Sequence, residues 1–330
     1  MNKAKKIFVL YTGGTIGMID GGQGLIPDTA ITRKILVNHS DSLSFDWHVC
    51  DPLIDSSAVT PENWQNWLTL LQKNIPNYDG ILILHGTDTL AYTANILALT
   101  LRDLAKPIIL TGAQLPYDAP DSDAPFNLAT AVAALDLALP QVSIAFNGKL
   151  FPAVGSTKIS TEDSEGFDNP HFGISGSWSP ENGWRHLRHR PSEKQRHSLP
   201  TYRLNPNVRI TCCTFIPGLS KQIFSDGLNP NLTDAAILQS YGHGNTPSSP
   251  ELIQAVEQFT ASGRPVLNIS QVSKGNAARV YAQSNALLQA GALNGGRMNL
   301  ETATALLILA VSNHWTTEQL QTEIAALQPF

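Results

Sequence analysis

Hydroxyl, carboxylate and ammonium side chains follow short apolar runs at several points of the sequence. Thr15 comes after one such run and a pair of glycines, and Thr87 and Asp88 come after another. A threonine hydroxyl is a weak nucleophile, so it needs a base within hydrogen-bonding reach. A lysine that has given up its proton can complete such a relay, and Lys158 is the best-placed candidate. These residues favour nucleophilic chemistry on a small polar substrate.

The elements that must position these residues are strands of a parallel sheet. From residue 6 to about 185, β-branched runs alternate with helix-like stretches, which is typical of a parallel sheet covered by helices. Ligands bind at the carboxyl ends of such strands, where both threonine turns fall. The pattern predicts strands over 6–12, 80–85, 107–111 and 142–147, and helices from Pro61, with Thr60 as N-cap, and over 90–104.

The length of 330 residues favours two domains. We predict an N-terminal catalytic α/β domain over 1–188, a polar and basic linker over 189–207, and a C-terminal α/β domain over 208–330. In the last, the pattern predicts strands near 208–215, 234–240 and 265–270, and helices near 250–262, 278–290, 301–312 and 316–327.

Composition restricts the partners. With 42% hydrophobic residues, 15% charged residues and a net charge of -5, the chain reads as a globular protein whose partner is a small molecule rather than nucleic acid. The basic start is followed by too short an apolar run for a signal peptide, and no run is long enough for a membrane helix. Cys50, Cys212 and Cys213 fit neither a disulfide framework nor a zinc site. We therefore expect a cytoplasmic protein without a membrane partner.

Three motifs resemble the fingerprints of bacterial-type L-asparaginases, closest to the cytoplasmic type I branch. They are Tyr11-Thr12-Gly13-Gly14-Thr15, His85-Gly86-Thr87-Asp88-Thr89 and Thr111-Gly112-Ala113-Gln114. The likeness extends through Asp55-Ser56-Ser57, Thr157-Lys158 and Ser240-Tyr241-Gly242-His243-Gly244-Asn245, so it covers nearly the whole chain. It implies a larger N-terminal domain with a flavodoxin-like sheet and a smaller C-terminal α/β domain.

The resemblance also implies a two-step hydrolysis of L-asparagine to L-aspartate and ammonia, without a metal or organic cofactor. Thr15 is then the nucleophile and carries a β-aspartyl ester, and Thr87, Asp88 and Lys158 form the supporting catalytic group. Backbone N–H groups near Thr87 and Ala113 stabilise the oxyanion in this scheme.

The same resemblance assigns substrate binding. Asp88 and Thr87 contact the substrate, with Asp88 on its ammonium, and the segment Asp55-Ser56-Ser57 holds its α-carboxylate through the two serines. Ala113 lines the same pocket. Asn245 belongs to the site of a neighbouring subunit, which implies a homodimer or a dimer-of-dimers tetramer.

The chain departs from the family pattern at two places. Many members carry a lid tyrosine about ten residues past the first threonine, where this chain has Leu25, which has no hydroxyl. Our hypothesis is that Tyr281 takes over its role across a subunit boundary, and the alternative is that Tyr281 only packs its ring. Ala58 stands where an aspartate is common.

Several alternatives stay open at this point. They are an amidohydrolase with substantial glutaminase activity, a catalytically impaired asparagine sensor, and the amidotransferase subunit that shares this domain. One methylene is worth only about 1–3 kcal/mol of discrimination, so the sequence does not rank asparagine against glutamine. We expect His85, at a strand end, to be a buried histidine with satisfied hydrogen bonds rather than a catalytic one.

Overall fold

The chain divides into two compact units, Met1–Thr201 and Tyr202–Phe330. The computed structural model describes residues 4–22, 24–29, 35–36, 42–102, 104–188, 202–218, 220–277 and 282–328. Most of the predicted linker over 189–207 lies outside the described residues, so the three predicted domain boundaries stay a prediction.

The first unit alternates strands with helices. Its strands are β1 (Lys5–Tyr11), β2 (Met18–Asp20), β3 (Leu25–Pro27), β4 (Leu43–Val49), β5 (Gly80–Leu84), β6 (Ile108–Thr111), β7 (Val142–Phe146), β8 (Lys149–Pro152), β9 (Thr157–Lys158), β10 (Phe167–Asp168), β11 (Gly176–Ser179) and β12 (Gly183–Arg185). Its α-helices are α1 (Pro61–Asn74), α2 (Leu90–Thr100) and α3 (Ala124–Asp136).

Eight of these strands form one sheet in the order β12-β11-β8-β7-β6-β5-β1-β4. Strands β4, β1, β5, β6 and β7 are parallel, whereas β8, β11 and β12 extend the sheet in antiparallel fashion. The parallel part has the flavodoxin-like order, as predicted, and the order reverses between β1 and β5. Because Tyr11 pairs with Leu84 and Leu84 with Thr111, three strands end at the same level. Their following turns share one crevice.

Local sequence explains the helices that flank this sheet. Thr60 caps α1 in a capping box with Asn63, as the sequence predicts, and Trp64 and Trp67 are buried. Helix α2 ends at Thr100 rather than at 104, because Leu101 leaves the helical conformation with φ -120 and ψ 17. Strands β2–β4 and β8–β12 and helix α3 were not predicted from the sequence.

The second unit is also α/β, as predicted. A four-stranded parallel sheet has the order β13 (Ile210–Thr214), β14 (Ala235–Ser240), β15 (Val266–Ser270) and β16 (Leu293–Asn294). Its helices are α4 (Ser220–Gly227), α5 (Pro250–Ala261), α6 (Ala282–Gln289), α7 (Leu300–Ser312) and α8 (Thr317–Leu327). Residues 278–281 of the predicted helix over 278–290 lie outside the described residues. None of the described helices combines the length and the apolar character that crossing a membrane requires.

The turns after β1 and β5 touch each other through two glycines. Gly14 has φ 100 and ψ 164, a conformation that side-chain-bearing residues rarely adopt. A Cβ atom on Gly14 would lie 2.5 Å from the Gly86 Cα, and a Cβ atom on Gly86 would lie 2.5 Å from the Ser56 Oγ. Only glycine at both positions allows this approach.

Gly14→Ala tests this contact, with Gly22→Ala as the matched control. Both glycines have positive φ, but a Cβ atom on Gly22 would meet nothing within 4 Å. We expect Gly22→Ala to lower the free energy of unfolding by about 1 kcal/mol and Gly14→Ala by about 3 kcal/mol or more, because only the latter adds a backbone clash. Urea unfolding measures both, and equal losses would contradict the close contact.

Candidate active site

The first turn presents Thr15 at the point where the strand order reverses. Thr15 begins a short 3-10 turn, Thr15–Gly17, directly after Gly14. Thr12 anchors the turn to β5, since its backbone N–H and its hydroxyl both donate to the Leu84 carbonyl, at 3.0 and 3.1 Å. The Thr15 side chain is partly exposed and its hydroxyl makes no hydrogen bond to a described residue. The hydroxyl is therefore open to a ligand in the crevice.

The second turn brings a hydroxyl, a carboxylate and an ammonium group together. Lys158 Nζ lies 2.8 Å from Thr87 Oγ1 and 2.7 Å from Asp88 Oδ1. The Lys158 side chain is only 17% exposed, whereas that of Asp88 is 59% exposed. The three residues proposed as the supporting group thus form one hydrogen-bonded cluster with its carboxylate toward solvent.

A short hairpin outside the parallel sheet holds Lys158. Strand β9 pairs with β10, so that Lys158 lies opposite Phe167, whose ring packs edge-on against Phe146 at 5.0 Å between centroids. In the acidic stretch between the two strands, Glu165 forms an ion pair with Lys149 at 2.6 Å. The hydrogen bond from Lys149 lowers the pKa of the Glu165 carboxyl. This acidic stretch therefore attaches the hairpin to the antiparallel end of the sheet.

Ala113 lies in the third turn, which follows β6. Two residues at the start of α3, Asp123 and Asn127, hold this turn in place through hydrogen bonds. The Asp123 carboxylate accepts the backbone N–H groups of Gln114 and Leu115, each at 3.0 Å. The Asn127 side-chain amide donates to Asp123 at 2.9 Å and also to the carbonyl of the third turn's glycine at 3.0 Å. Because several backbone groups converge on one carboxylate, the turn has a defined shape.

Gln114 connects this third turn to the lysine hairpin. Its Oε1 lies 3.4 Å from the Thr87 hydroxyl, and its Nε2 donates to the Ser160 carbonyl at 3.0 Å. Gln114, Asp123 and Asn127 were not predicted as site residues. The spacing of Asp123 and Asn127, four residues apart at a helix start, was the available signal.

Two backbone donors beside this cluster have no acceptor. Neither the Thr87 N–H nor the Ala113 N–H makes a hydrogen bond to a described residue, although Ala113 is buried and Thr87 is nearly so. Buried N–H groups almost always have a hydrogen-bond acceptor, so two N–H groups without one beside a crevice indicate that a ligand supplies the acceptor. These are the two positions expected to bind the oxyanion.

The serine segment lies against the second turn. Ser56 and Ser57 begin the 3-10 turn Ser56–Ala58, and the Asp55 carboxylate accepts the Ser57 N–H at 2.9 Å. The Thr89 hydroxyl donates to the Ser56 carbonyl at 2.7 Å. Ser56 is buried and Ser57 is exposed. The segment is therefore fixed to the second turn by backbone groups, which leaves the serine hydroxyls for other partners.

Leu25, Asn245 and Tyr281 are not part of the three turns or of the serine segment. Leu25 is on the β2–β3 hairpin and is 49% exposed. Asn245 belongs to the second unit, in the turn after β14, where Asn268 Nδ2 donates to the Gly244 carbonyl at 3.1 Å. The Oδ1 atom of Asn245 is buried and has no hydrogen-bond partner among the described residues. Tyr281 lies outside the described residues, and its role stays a prediction.

Comparison with known proteins identifies the family of this chain. The family model described as Asparaginase, N-terminal matches residues 6–192, and that described as Glutaminase/Asparaginase C-terminal domain matches residues 209–323. The chain belongs to the asparaginase family. This confirms the family resemblance of the sequence motifs.

Individual members of the family match over nearly the full chain. The chain is 33% identical to L-asparaginase 1 of Escherichia coli (strain K12), over 96% of this chain and 95% of that protein. The crystal structure of L-asparaginase I from Vibrio cholerae matches with a TM-score of 0.86 at 30% identity, covering 97% of each chain. The thermostable L-asparaginase from Thermococcus kodakarensis matches with a TM-score of 0.85 at 27% identity, covering 97% of this chain and 96% of that chain.

His85, inside the second asparaginase motif, is buried and fully hydrogen-bonded. Its Nδ1 lies 2.7 Å from the Gly86 carbonyl oxygen and its Nε2 lies 2.9 Å from the Thr93 hydroxyl. Burial lowers the pKa of His85 to about 4, and the hydrogen bond to Gly86 offsets only part of this effect. The imidazole is therefore neutral at neutral pH.

This pKa makes the stability contribution of His85 depend on pH. As the pH falls below 6.5, His85 becomes protonated in the unfolded chain, whereas in the folded chain it stays neutral down to about pH 4. The free energy of unfolding therefore decreases as the pH falls through this window. The loss amounts to about 3 kcal/mol at 1.4 kcal/mol per pH unit. We expect the difference in unfolding free energy between wild type and His85→Asn to shrink by about this amount from pH 7 to pH 4.

Denaturant unfolding of both proteins across this range measures the effect, because the other titrating groups are common to both and cancel. A difference that stays constant with pH would contradict a lowered pKa at His85.

Proposed function

We propose that the protein hydrolyses the side-chain amide of L-asparagine to L-aspartate and ammonia. The observation that carries the proposal is the hydrogen-bonded cluster of Thr87, Asp88 and Lys158. This cluster lies beside the Thr15 turn, because Gly14 of that turn contacts Gly86. The chain is a member of the asparaginase family. The cluster supplies a proton acceptor, and the open hydroxyl supplies a nucleophile.

The reaction runs through a covalent ester. The Thr15 oxygen attacks the amide carbon, and its proton passes through Thr87 or a water molecule to Lys158 Nζ, which has to be the free amine at this step. The C–N bond then breaks, and the amide nitrogen leaves as ammonia after taking up this proton. Water attacks the β-aspartyl ester by the same proton route, which releases L-aspartate and restores the Thr15 hydroxyl. One water molecule is consumed per amide. The 2.8 Å contact between Lys158 Nζ and Thr87 Oγ1 supports this route.

The unpaired N–H groups of Thr87 and Ala113 bind the oxyanion that forms at each attack. Fixed donors of this kind act without reorganising, and removal of one such donor typically costs a factor of about 10²–10³ in rate. Asp123 supports the donor at Ala113, since it fixes the two N–H groups that follow it in the turn.

The substrate is a zwitterion at its α-carbon, so its binding site needs both signs of polarity. The exposed carboxylate of Asp88 binds the substrate ammonium while one of its oxygens accepts from Lys158. Ser56 and Ser57 donate to the α-carboxylate. Asp55 contributes by capping the serine turn, since its own charge would repel a carboxylate. No step of this scheme requires a metal or an organic cofactor.

We also propose an oligomer of two or four chains in the cytoplasm. The resemblance to the family, which places Asn245 at the site of a neighbouring chain, supports this assembly. The resemblance to the type I branch supports the location, as do Cys50, Cys212 and Cys213, which form no disulfide in the described chain.

Ammonia release with L-asparagine and L-glutamine tests the proposed reaction. We expect Thr15→Ala to lower kcat by about 10³-fold or more, because it removes the nucleophile. Thr69→Ala is the matched control, since Thr69 lies on the exposed face of α1 and bonds only within that helix. Substantial turnover by Thr15→Ala would refute the assigned nucleophile. Asparagine that raises the melting temperature of the wild type without being consumed would favour the sensor instead.

Complementation tests whether Asn245 acts across a subunit boundary. We expect Thr15→Ala and Asn245→Ala each to be nearly inactive alone. Coexpressed, they form mixed dimers in which one of the two sites has both an intact Thr15 and an intact Asn245. Random pairing then restores about a quarter of the wild-type activity. No recovery in mixtures whose mixed dimers are verified by native mass spectrometry would place Asn245 in the site of its own chain or outside any site.

A further inference from the structure

A chain of hydrogen bonds behind the second turn has only one possible direction. The Trp64 indole N–H can only donate, and it donates to Thr93 Oγ1 at 2.9 Å. The Gly86 carbonyl can only accept, so the His85 Nδ1 at 2.7 Å carries the proton. In a neutral imidazole the Nε2 atom is then an acceptor, and the Thr93 hydroxyl donates to it at 2.9 Å. The tautomer of His85 is fixed by its neighbours.

This chain ends on the peptide that precedes Thr87. The Gly86–Thr87 peptide is trans, so its C=O and N–H point in opposite directions. Because the Gly86 carbonyl is directed at the buried imidazole, the Thr87 N–H is directed away from it. That N–H is the donor without an acceptor among the described residues.

Because residue 86 is a glycine, the orientation of the Gly86–Thr87 peptide has to be fixed by a neighbouring residue. The contacts with Ser56 and Gly14 leave no room for a Cβ atom there. A glycine has few conformational preferences, so the residue itself does little to decide which way its peptide faces. His85 supplies the missing preference through a bond that only one of the two peptide orientations can make.

Packing alone does not explain a histidine at this place. The ring meets Trp67 edge-on at 5.5 Å between centroids, a contact that any aromatic ring could make. An apolar ring, however, would leave the buried Gly86 carbonyl without its donor and the Thr93 hydroxyl proton without its acceptor, and the side chain at position 85 would then not hold the peptide.

We propose that His85 is a positioning residue, which through the Gly86 carbonyl aims the Thr87 N–H at the oxyanion of the reaction. The inference rests on the proposed function, since it concerns a donor of that same site. His85 touches neither substrate nor reacting atoms in this scheme, and it acts only through the peptide.

Two amide substitutions separate the two ring nitrogens. The amide nitrogen of His85→Asn takes the place of Nδ1 and can still donate to Gly86, whereas the longer side chain of His85→Gln takes the place of Nε2 and meets Thr93 instead. We expect His85→Gln to lose about 10–100-fold in kcat for L-asparagine with KM within about threefold, because oxyanion donors act on the chemical step. We expect His85→Asn to keep kcat within about threefold.

Melting temperatures of the two variants provide the structural readout. Each variant loses one hydrogen bond of the chain, so similar decreases are expected for both. A role in stability alone predicts equal activity losses, and equal kcat values for the two variants would overturn the proposal. A loss in His85→Gln that appears only in KM would overturn it as well.

Thr93 variants test the same chain without changing the ring, in case His85→Gln does not fold. Thr93→Val removes the donor to Nε2 but leaves the Gly86 carbonyl in place, so we expect ¹⁵N NMR of labelled histidines to show the Nδ1–H tautomer unchanged, kcat to stay within about threefold and the melting temperature to fall. Thr93→Ser keeps the hydroxyl and should restore the melting temperature. Wild-type kcat in Thr93→Val with a switched tautomer would overturn the proposal. No ammonia release by the wild type would instead refute the proposed function, and the tautomer measurement would be unaffected.

Discussion

Two turns meet at Gly14 and Gly86 with no space for a side chain on either, and the arrangement of the site depends on this contact. It brings the Thr15 turn, at the end of β1, against the Thr87 turn, at the end of β5. The two strands are neighbours in the sheet. Because the strand order reverses between them, a crevice opens at their carboxyl ends. A larger residue at either position would separate the Thr15 turn from the Thr87 turn.

Around this contact, the polar groups divide into those that are satisfied and those that are left open. Asp123 takes up the N–H groups of Gln114 and Leu115, whereas the neighbouring N–H of Ala113 stays without an acceptor. The Gly86 carbonyl is bound by His85, and the N–H of the same peptide is open. Each open donor therefore lies beside a backbone group that is already hydrogen-bonded. Rigid hydrogen bonds on one side of the backbone keep the donors on the other side fixed before a substrate arrives.

The sequence predicts the α/β class, the helix caps and the position of both threonine turns, because buried parallel strands and N-caps have strong local patterns. Strand β4 was missed because it lies at the sheet edge and alternates exposed with buried residues, unlike the continuous apolar runs of β1 and β5. Asp123 and Asn127 were missed because their partners are backbone groups of the turn after β6, and the spacing of the two residues at a helix start does not by itself identify such partners. The Lys158 contact spans 71 residues; Lys158 was proposed from its place in the N-terminal domain, and the family motifs then supported its pairing with Thr87.

The hairpin that carries Lys158 consists of two short strands outside the parallel sheet. Strands β9 and β10 have two residues each, and they are attached to the rest of the unit by the Phe167 ring, by an exposed ion pair, by the hydrogen bond from Gln114 and by the contacts of Lys158 itself. Short, peripheral elements open at a lower free energy than the core on which they rest. Opening of this hairpin withdraws the amine from Thr87 while the parallel sheet stays folded. We therefore expect activity to be lost reversibly on warming at a temperature at which the parallel sheet is still folded.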